Sequence, residues 1–243
     1  MSTIVLITRY GGLGDLVMLL PTIEALRQKH PDAEMVLRTH VDYVGYIDSL
    51  FARVVLDDNR YALYPSDASA AVVPRTRRLQ ADSEIGRAGD VVHHYDFHGV
   101  IERRRDVHGM RAFAEAARVE LPADVRPHLS HTVDRDGSLT VQLRNCGDGR
   151  DLIVEELSEE IRVHPDVTLV MGRLAPQRFI RTIARARIFA GPDSSGLHLA
   201  AALGVPRILG LYHPDYPPAI RAYAGVEAFT DRKQFLEAVH GCI

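Results

Sequence analysis

The 243-residue chain has no tryptophan, two cysteines and only two lysines, Lys29 and Lys233, among its 29 basic residues. Cysteines about a hundred residues apart provide neither a disulfide framework nor a metal knuckle. No apolar stretch approaches the ~20 residues that a membrane span needs. The N-terminus lacks the basic region and cleavage site of a signal peptide. These absences predict a cytoplasmic protein without a transmembrane segment.

Charge is nearly balanced, with 29 basic and 32 acidic residues and a net charge of −3. Neither half of the chain has a basic surplus, so net charge does not indicate a nucleic-acid partner. Because arginine supplies nearly all the positive charge, a phosphate clamp here would use guanidinium groups or backbone amides. The length accommodates one large domain or two small ones, at roughly 100–200 residues per domain.

Strand-like and helix-like segments alternate in two series, which predicts parallel sheets covered by helices. In the first series we expect strands over Thr3–Thr8, Glu34–Thr39, Arg53–Asp57, Ala70–Val73 and Asp90–Phe97, and helices over Asp15–Lys29, Val41–Leu50 and Arg105–Arg118. In the second we expect strands over Ser138–Leu143, Val167–Met171, Arg187–Ala190 and Val205–Leu211, and helices over Leu152–Arg162, Pro176–Ala186, Gly196–Leu203 and Asp231–His240. The stretch 121–137 has no sustained period and is the predicted linker.

A glycine turn, Gly11-Gly12-Leu13-Gly14, separates the first strand from the first helix and leads into Asp15. The spacing is not that of a dinucleotide fold, and no Gly-Lys-Ser/Thr follows to make a P-loop. Two interpretations of Asp15 remain open. It caps the helix, or it is a carboxylate presented at a cleft as a general base.

A second turn, 191–198, joins a short apolar strand to a helix. Its Ser and Gly residues supply hydroxyls and unhindered amides at a helix start, which favours an anion site suited to a diphosphate. The alternative is a well-capped helix with Asp193 or Ser194 as its N-cap.

The segment 193–206, DSSGLHLAAALGVP, resembles the donor-binding segment of the ADP-heptose:lipopolysaccharide heptosyltransferase family. The stretches GLGD at 12–15 and LLPTIEALR at 19–27 are similar to that family's opening. Similar matches are YDFHG at 95–99 and the loop after 209–212. The chain resembles a shortened, divergent member.

The resemblance implies an α/β protein of GT-B fold, in which two Rossmann-like α/β/α domains face a cleft. We expect the acceptor-side domain over 1–125 and the nucleotide-sugar-binding domain over 126–243. The implied activity is inverting, metal-independent transfer of a sugar from a nucleotide-diphosphate sugar to an acceptor hydroxyl, without a cofactor. Asp15 is similar to the family's catalytic base.

The donor site is predicted to use eight residues, some from the resemblance and some in place of residues that this chain lacks. The family's phosphate-binding Lys-x-Trp-Pro stretch is absent, and Arg144 or Arg150 is the predicted replacement for its lysine. The predicted donor-binding residues are Asp193, Ser194, Ser195, Gly196, His198, Arg144, Arg150 and Tyr212.

The acceptor side is predicted to include Gly12, Gly14, Asp96, His98 and Arg104. His94, Asp96 and His98 share one face of a strand, so a metal site is an alternative there. The acceptor is expected to be a glycan or another hydroxyl-bearing molecule. Two alternative functions remain: glycosylation of hydroxylated bases in phage-type DNA, and a non-catalytic nucleotide-binding module.

Overall fold

The computed structural model describes residues 2–9, 12–40, 51, 53–57, 90–104, 106–131, 134–143, 152, 154–171, 174–216, 223 and 225–243. The predicted helix at 41–50, the predicted strand at 70–73, Arg144 and Arg150 lie outside these residues.

Nine strands and seven helices are present in the described part of the chain. The strands are β1 (Thr3–Thr8), β2 (Glu34–His40), β3 (Arg53–Asp57), β4 (Val91–Asp96), β5 (Leu139–Gln142), β6 (Val167–Val170), β7 (Ile188–Pro192), β8 (Arg207–Leu211) and β9 (Val226–Phe229). The helices are α1 (Leu13–Lys29), α2 (Val100–Arg103), α3 (Gly109–Ala117), α4 (Glu159–Val163), α5 (Pro176–Arg185), α6 (Ser195–Ala202) and α7 (Arg232–His240). None of these described helices has the length and apolarity needed to cross a membrane.

The first sheet is parallel, with strand order β3-β2-β1-β4. Strand β1 is buried from Ile4 to Thr8, as its continuous apolar run predicts for a central parallel strand. Helix α1 buries Leu16, Leu19 and Ile23 in the same core cluster as residues of β1, because these side chains recur at helical spacing.

The second sheet is also parallel, with order β6-β5-β7-β8-β9. Val141, Ala190 and Leu209 are fully buried in its core, where α7 contributes Phe235. These two parallel sheets with covering helices confirm the predicted α/β class.

The strand order reverses between β1 and β4 in the first sheet and between β5 and β7 in the second. In open parallel sheets, ligands bind beyond the carboxyl ends of the strands at such reversals. The sequence that follows β1 contains the Asp15 turn, and the sequence that follows β7 contains the Ser194 turn. Both predicted functional turns therefore lie at topological switch points.

Several predicted helix boundaries differ from the structure, and three of the differences have a local cause. Helix α1 begins at Leu13 because Gly12 takes the N-cap position. Helix α3 begins at Gly109, since the His108 ring accepts the Met110 N–H and caps it. The helix predicted over 152–162 is a 3-10 turn followed by α4, which Ser158 caps. Helix α6 begins one residue early, at Ser195.

In the described residues, the strand predictions differ from the structure by more than one residue at three places. Strand β7 extends to Pro192, two residues beyond the predicted end. Strand β8 begins at Arg207 rather than Val205. Strand β9 was not predicted, because its sequence VEAF is only four residues long and includes a charged residue; pairing with β8 stabilises it.

The predicted linker has no regular secondary structure in its described residues, and its two ends bind to different halves of the chain. The Arg111 guanidinium on α3 donates to the carbonyls of Leu121 (2.7 Å) and Ala123 (2.9 Å). Farther along, the Leu129 N–H donates to the carbonyl of Ala202 at the end of α6 (2.9 Å). The first anchor belongs to the first half and the second anchor to the second half.

Candidate active site

Asp15 is the third residue of α1, and its carboxylate reaches back toward the residues before the helix. Oδ2 accepts the Gly12 N–H at 2.8 Å and the Arg9 Nη2 at 2.6 Å. Asp15 therefore satisfies a helix-start amide although it is not the N-cap residue. Its side chain keeps 24% of its surface exposed, whereas that of Arg9 keeps 1%, so a buried cation holds a carboxylate that solvent still reaches.

Arg9 follows directly after β1 and was not predicted from the sequence. Its Nη1 donates to the carbonyl of Phe97 at the end of β4 (2.8 Å), and its guanidinium lies over the Phe113 ring at 5.5 Å. The signal that marks it is an arginine placed between a buried apolar strand and a glycine turn. Arg9 ties together the ends of the two strands that flank the first switch point.

Ser194 occupies the N-cap position of α6, as one of the two interpretations predicted, but its hydroxyl does not cap the helix. Its Oγ donates instead to Oε1 of Gln142, at the end of β5, at 3.2 Å. Gln142 also explains Gly196, because a Cβ there would lie 1.8 Å from Gln142 Oε1. The Ser194 side chain thus leaves the first-turn amides of α6 to other acceptors, at the second switch point.

His198 is a buried residue on α6 with a partner at each ring nitrogen. Its Nε2 lies 3.4 Å from Asp193 Oδ1, and its Nδ1 lies 2.5 Å from the hydroxyl of Tyr223. Tyr223 is another residue that was not predicted from the sequence. Burial raises its pKa well above the ordinary value, and the nearby Tyr212, Asp193 and Asp15 raise it further.

The starts of α1 and α6 meet in space. A Cβ on Gly14 would lie 2.6 Å from Cδ2 of His198 and 3.5 Å from the Cα of Ser195. Only glycine fits this approach, which brings the Asp15 turn of one half against the turn 191–198 of the other. We call this second turn the donor turn, because the sequence predicts that it binds the donor. Gly14 therefore lies against Ser195 and His198, two of the residues that the sequence predicts for the donor, whereas Gly12 contacts Asp15.

Asp96 and His98 flank Phe97, whose carbonyl binds Arg9, so both lie at the carboxyl end of β4 near the first switch point. The Asp96 carboxylate accepts the backbone N–H of His98 at 2.9 Å. The described residues contain no cluster of three or more His, Cys, Asp or Glu side chains that could hold a metal ion.

Of two other predicted residues, Arg104 is ion-paired and Tyr212 is buried. Arg104 forms ion pairs with Asp106 (2.9 Å) and with Glu115, and these carboxylates raise its pKa. Tyr212 belongs to the main core cluster and is 3% exposed. Its burial raises its pKa, and the negative charge of Asp193 raises it to a smaller extent. The ion pairs therefore hold Arg104 against Asp106, before α3, and Glu115, within α3, while Tyr212 lies in the core near Asp193.

His108 is the residue through which the first half touches Tyr223. The two rings meet edge to face, with centroids 4.8 Å apart. Burial, followed by the nearby His198 and Arg111, lowers the pKa of His108 to about 3. A neutral histidine therefore caps α3 at the contact between the two halves.

Residues 134–231 match the family model of glycosyltransferase family 9 (heptosyltransferase). The fold is similar to that of E. coli heptosyltransferase WaaC, solved with ADP-2-deoxy-2-fluoro heptose (TM-score 0.65, 14% identity, 97% of this chain and 99% of that chain). It is also similar to E. coli ADP-heptose LPS heptosyltransferase II (TM-score 0.62, 13% identity, 98% of each chain).

A third similar structure is the iron-containing dodecameric glycosyltransferase TibC of enterotoxigenic E. coli H10407 (TM-score 0.61, 15% identity, 95% of this chain and 64% of that chain). No curated protein sequence matches the chain.

The described residues have the GT-B fold of these glycosyltransferases. More particularly, the match of residues 134–231 to glycosyltransferase family 9 confirms the resemblance to the heptosyltransferase family.

Proposed function

We propose that the protein transfers a sugar from a nucleotide-diphosphate sugar to an acceptor hydroxyl with inversion, without a metal ion or cofactor, and in the cytoplasm. The observation that carries this proposal is the contact between Gly14 and His198. It places the one candidate base among the predicted residues, Asp15, next to the turn that starts α6. A base and a diphosphate site on opposite sides of one contact are what single displacement at an anomeric carbon needs.

On the acceptor side, Asp15 takes the proton of the attacking hydroxyl. Both hydrogen bonds from Arg9 and Gly12 fall on Oδ2, so Oδ1 is the oxygen that accepts this proton. Arg9 orients the carboxylate, since its own guanidinium is fixed by Phe97. Asp96 and His98, at the end of β4, are proposed to contact the acceptor.

On the donor side, the first-turn amides of α6 receive the diphosphate. As the acceptor oxygen bonds to the anomeric carbon, the bond from that carbon to the phosphate oxygen breaks and its electron pair stays on the diphosphate. Amides and the helix dipole at Ser195 and Gly196 stabilise this growing negative charge. Arg144 and Arg150 are proposed to add positive charge, and Asp193 and His198 to contact the donor.

The proposed domains are 1–125 and 126–243. The contacts of the linker support this boundary, because Arg111 of the first half binds Leu121 and Ala123, whereas Leu129 binds the end of α6 in the second half. Limited proteolysis that cuts first between these anchors is the expected result. A first cut within either sheet would contradict the boundary.

A panel of nucleotide sugars, headed by ADP-linked sugars, tests the function by thermal shift and by release of nucleoside diphosphate. Asp15→Asn is expected to reduce release by roughly 100-fold or more, the usual effect of a general base, and to keep the thermal shift. Glu24→Gln, on the exposed side of the same helix, is the matched control and is expected to leave release unchanged.

Four results would overturn the proposal. Stabilisation by no nucleotide diphosphate would remove the donor site. Nucleotide binding without release above background in wild type would favour the non-catalytic module, and measurable release that is equal in wild type and Asp15→Asn would remove Asp15 as the base. Release that EDTA abolishes and added iron restores would show a metal requirement. Duplex DNA with hydroxylated bases is included as an acceptor, because that alternative predicts steeply salt-dependent binding.

A further inference from the structure

Tyr223 lies where the two halves of the chain meet, and neither the family resemblance nor the proposed chemistry gives it a role. Its side chain is 2% exposed. Its hydroxyl contacts His198 of the second half at 2.5 Å, and its ring contacts His108 of the first half at 4.8 Å. One residue therefore contacts both sides of the candidate active site.

The direction of the hydrogen bonds around His198 follows from the groups present. A buried phenol beside the carboxylates of Asp15 and Asp193 keeps its proton. It therefore donates that proton to Nδ1 of His198, which leaves Nε2 as the nitrogen that carries the hydrogen of the ring. Nε2 then faces Asp193 Oδ1 at 3.4 Å as a donor.

The same ring is the surface that meets α1. His198 Cδ2 is the atom closest to a Cβ placed on Gly14, at 2.6 Å, and Nε2 is 3.3 Å from it. An imidazole held at both nitrogens cannot rotate away from Gly14. The placement of Asp15, one residue further along α1, thus depends on the orientation of His198.

We propose that Tyr223 is a positioning residue, whose hydroxyl fixes His198 in its Nε2–H form and so sets Asp15 against the donor turn. The proposal rests on the proposed function. It concerns turnover rather than ADP affinity, because loss of the Tyr223 hydroxyl leaves His198 and its proposed donor contact in the chain, and the diphosphate is received by the first-turn amides of α6.

The test compares Tyr223→Phe with Tyr95→Phe. The second variant is a matched control, since the Tyr95 hydroxyl also contacts a histidine ring, Nε2 of His30, at 3.0 Å. Both changes remove one hydroxyl and keep the aromatic ring. For Tyr223→Phe we expect kcat for nucleoside diphosphate release to fall about tenfold, the upper end for loss of one hydrogen bond, while the Kd of ADP stays within about twofold. Tyr95→Phe is expected to change neither.

Nitrogen NMR of 15N-histidine-labelled protein without ligand provides a readout independent of activity. The wild type is expected to show His198 protonated at Nε2, and Tyr223→Phe is expected to show a mixture of protonated forms. An unchanged His198 spectrum, or a kcat equal to that of Tyr95→Phe, would overturn the proposal. A kcat loss matched by an equal loss of ADP affinity would also overturn it. If wild type does not bind ADP, the proposed function fails instead, whatever the His198 spectrum shows.

Discussion

The close approach of α1 to α6 predicts that Gly14→Ala separates the two halves. A Cβ at residue 14 lies 2.6 Å from Cδ2 of His198, well inside van der Waals contact. The imidazole has no room to yield, because its two nitrogens face Tyr223 and Asp193. The next nearest residue, Ser195, presents its Cα at 3.5 Å, which is backbone. Either the ring must leave its partners or the helix starts must move apart.

The expected magnitude combines opposing contributions. Alanine in place of glycine in a helix stabilises by up to about 1 kcal/mol. Forcing an extra methyl group into a packed contact costs about 1–3 kcal/mol, and displacing the ring weakens hydrogen bonds worth about 1 kcal/mol each. The net loss is about 1.5 kcal/mol, which lowers the Tm by roughly 3–6 °C for a protein of this size.

Gly12→Ala is the matched control, two residues earlier in the same turn. The nearest atom to its Cβ is Asp15 Oδ2, at 3.9 Å, and the backbone at Gly12 (φ −62°, ψ 163°) is open to alanine. The weaker N-cap preference of alanine and the lower entropy of its unfolded chain largely cancel. Differential scanning calorimetry of both variants measures the difference. A Tm for Gly14→Ala at or above that of Gly12→Ala would refute the contact and the reasoning built on it.

Three further predictions concern neighbouring residues. Arg9→Lys keeps the charge beside Asp15 but loses a second donor, so chemical denaturation is expected to show a loss of about 1–3 kcal/mol; an unchanged midpoint would contradict this. The pKa of His108 is about 3 in the folded protein and ordinary in the unfolded chain, so the free energy of unfolding decreases as the pH falls below about 6.5. His108→Asn, which can still cap α3, is expected to remove about 2 kcal/mol of this decrease between pH 7 and 5; parallel curves of unfolding free energy against pH for variant and wild type would count against it. Gly196→Ala must displace Gln142 and is expected to weaken ADP binding about tenfold by calorimetry, whereas wild-type affinity would show that the donor turn tolerates a side chain.

Elements with continuous patterning were predictable from the sequence. Strand β1 has its predicted bounds, and helix α1 has its predicted body and end, because apolar residues recur at strand and helix spacing along each element. Boundaries set by a single residue were harder. The ring of His108 caps α3 and Ser158 starts a new helix, and neither contact leaves a mark in hydrophobic periodicity.

The site was predictable only where its residues are contiguous. The turns that contain Asp15 and Ser194 are short sequence motifs, so glycine and hydroxyl composition indicated them. The missed residues act across long separations. Arg9 binds the carbonyl of Phe97, 88 residues later, and Ser194 binds Gln142, 52 residues earlier. Such pairs arise when parallel strands bring distant ends to one sheet edge, which local pattern does not encode.

The two anchors of the linker have a consequence for fragments of this protein. Residues before 124 are held by Arg111 and residues after 128 by the end of α6, so a break in between severs no backbone hydrogen bond of either sheet. Two separately expressed pieces, 1–125 and 126–243, would each carry one complete parallel sheet and half of the Gly14–His198 contact. Reassembly of those pieces would then depend on that contact, which makes regained turnover a direct reporter of how well the two helix starts fit each other.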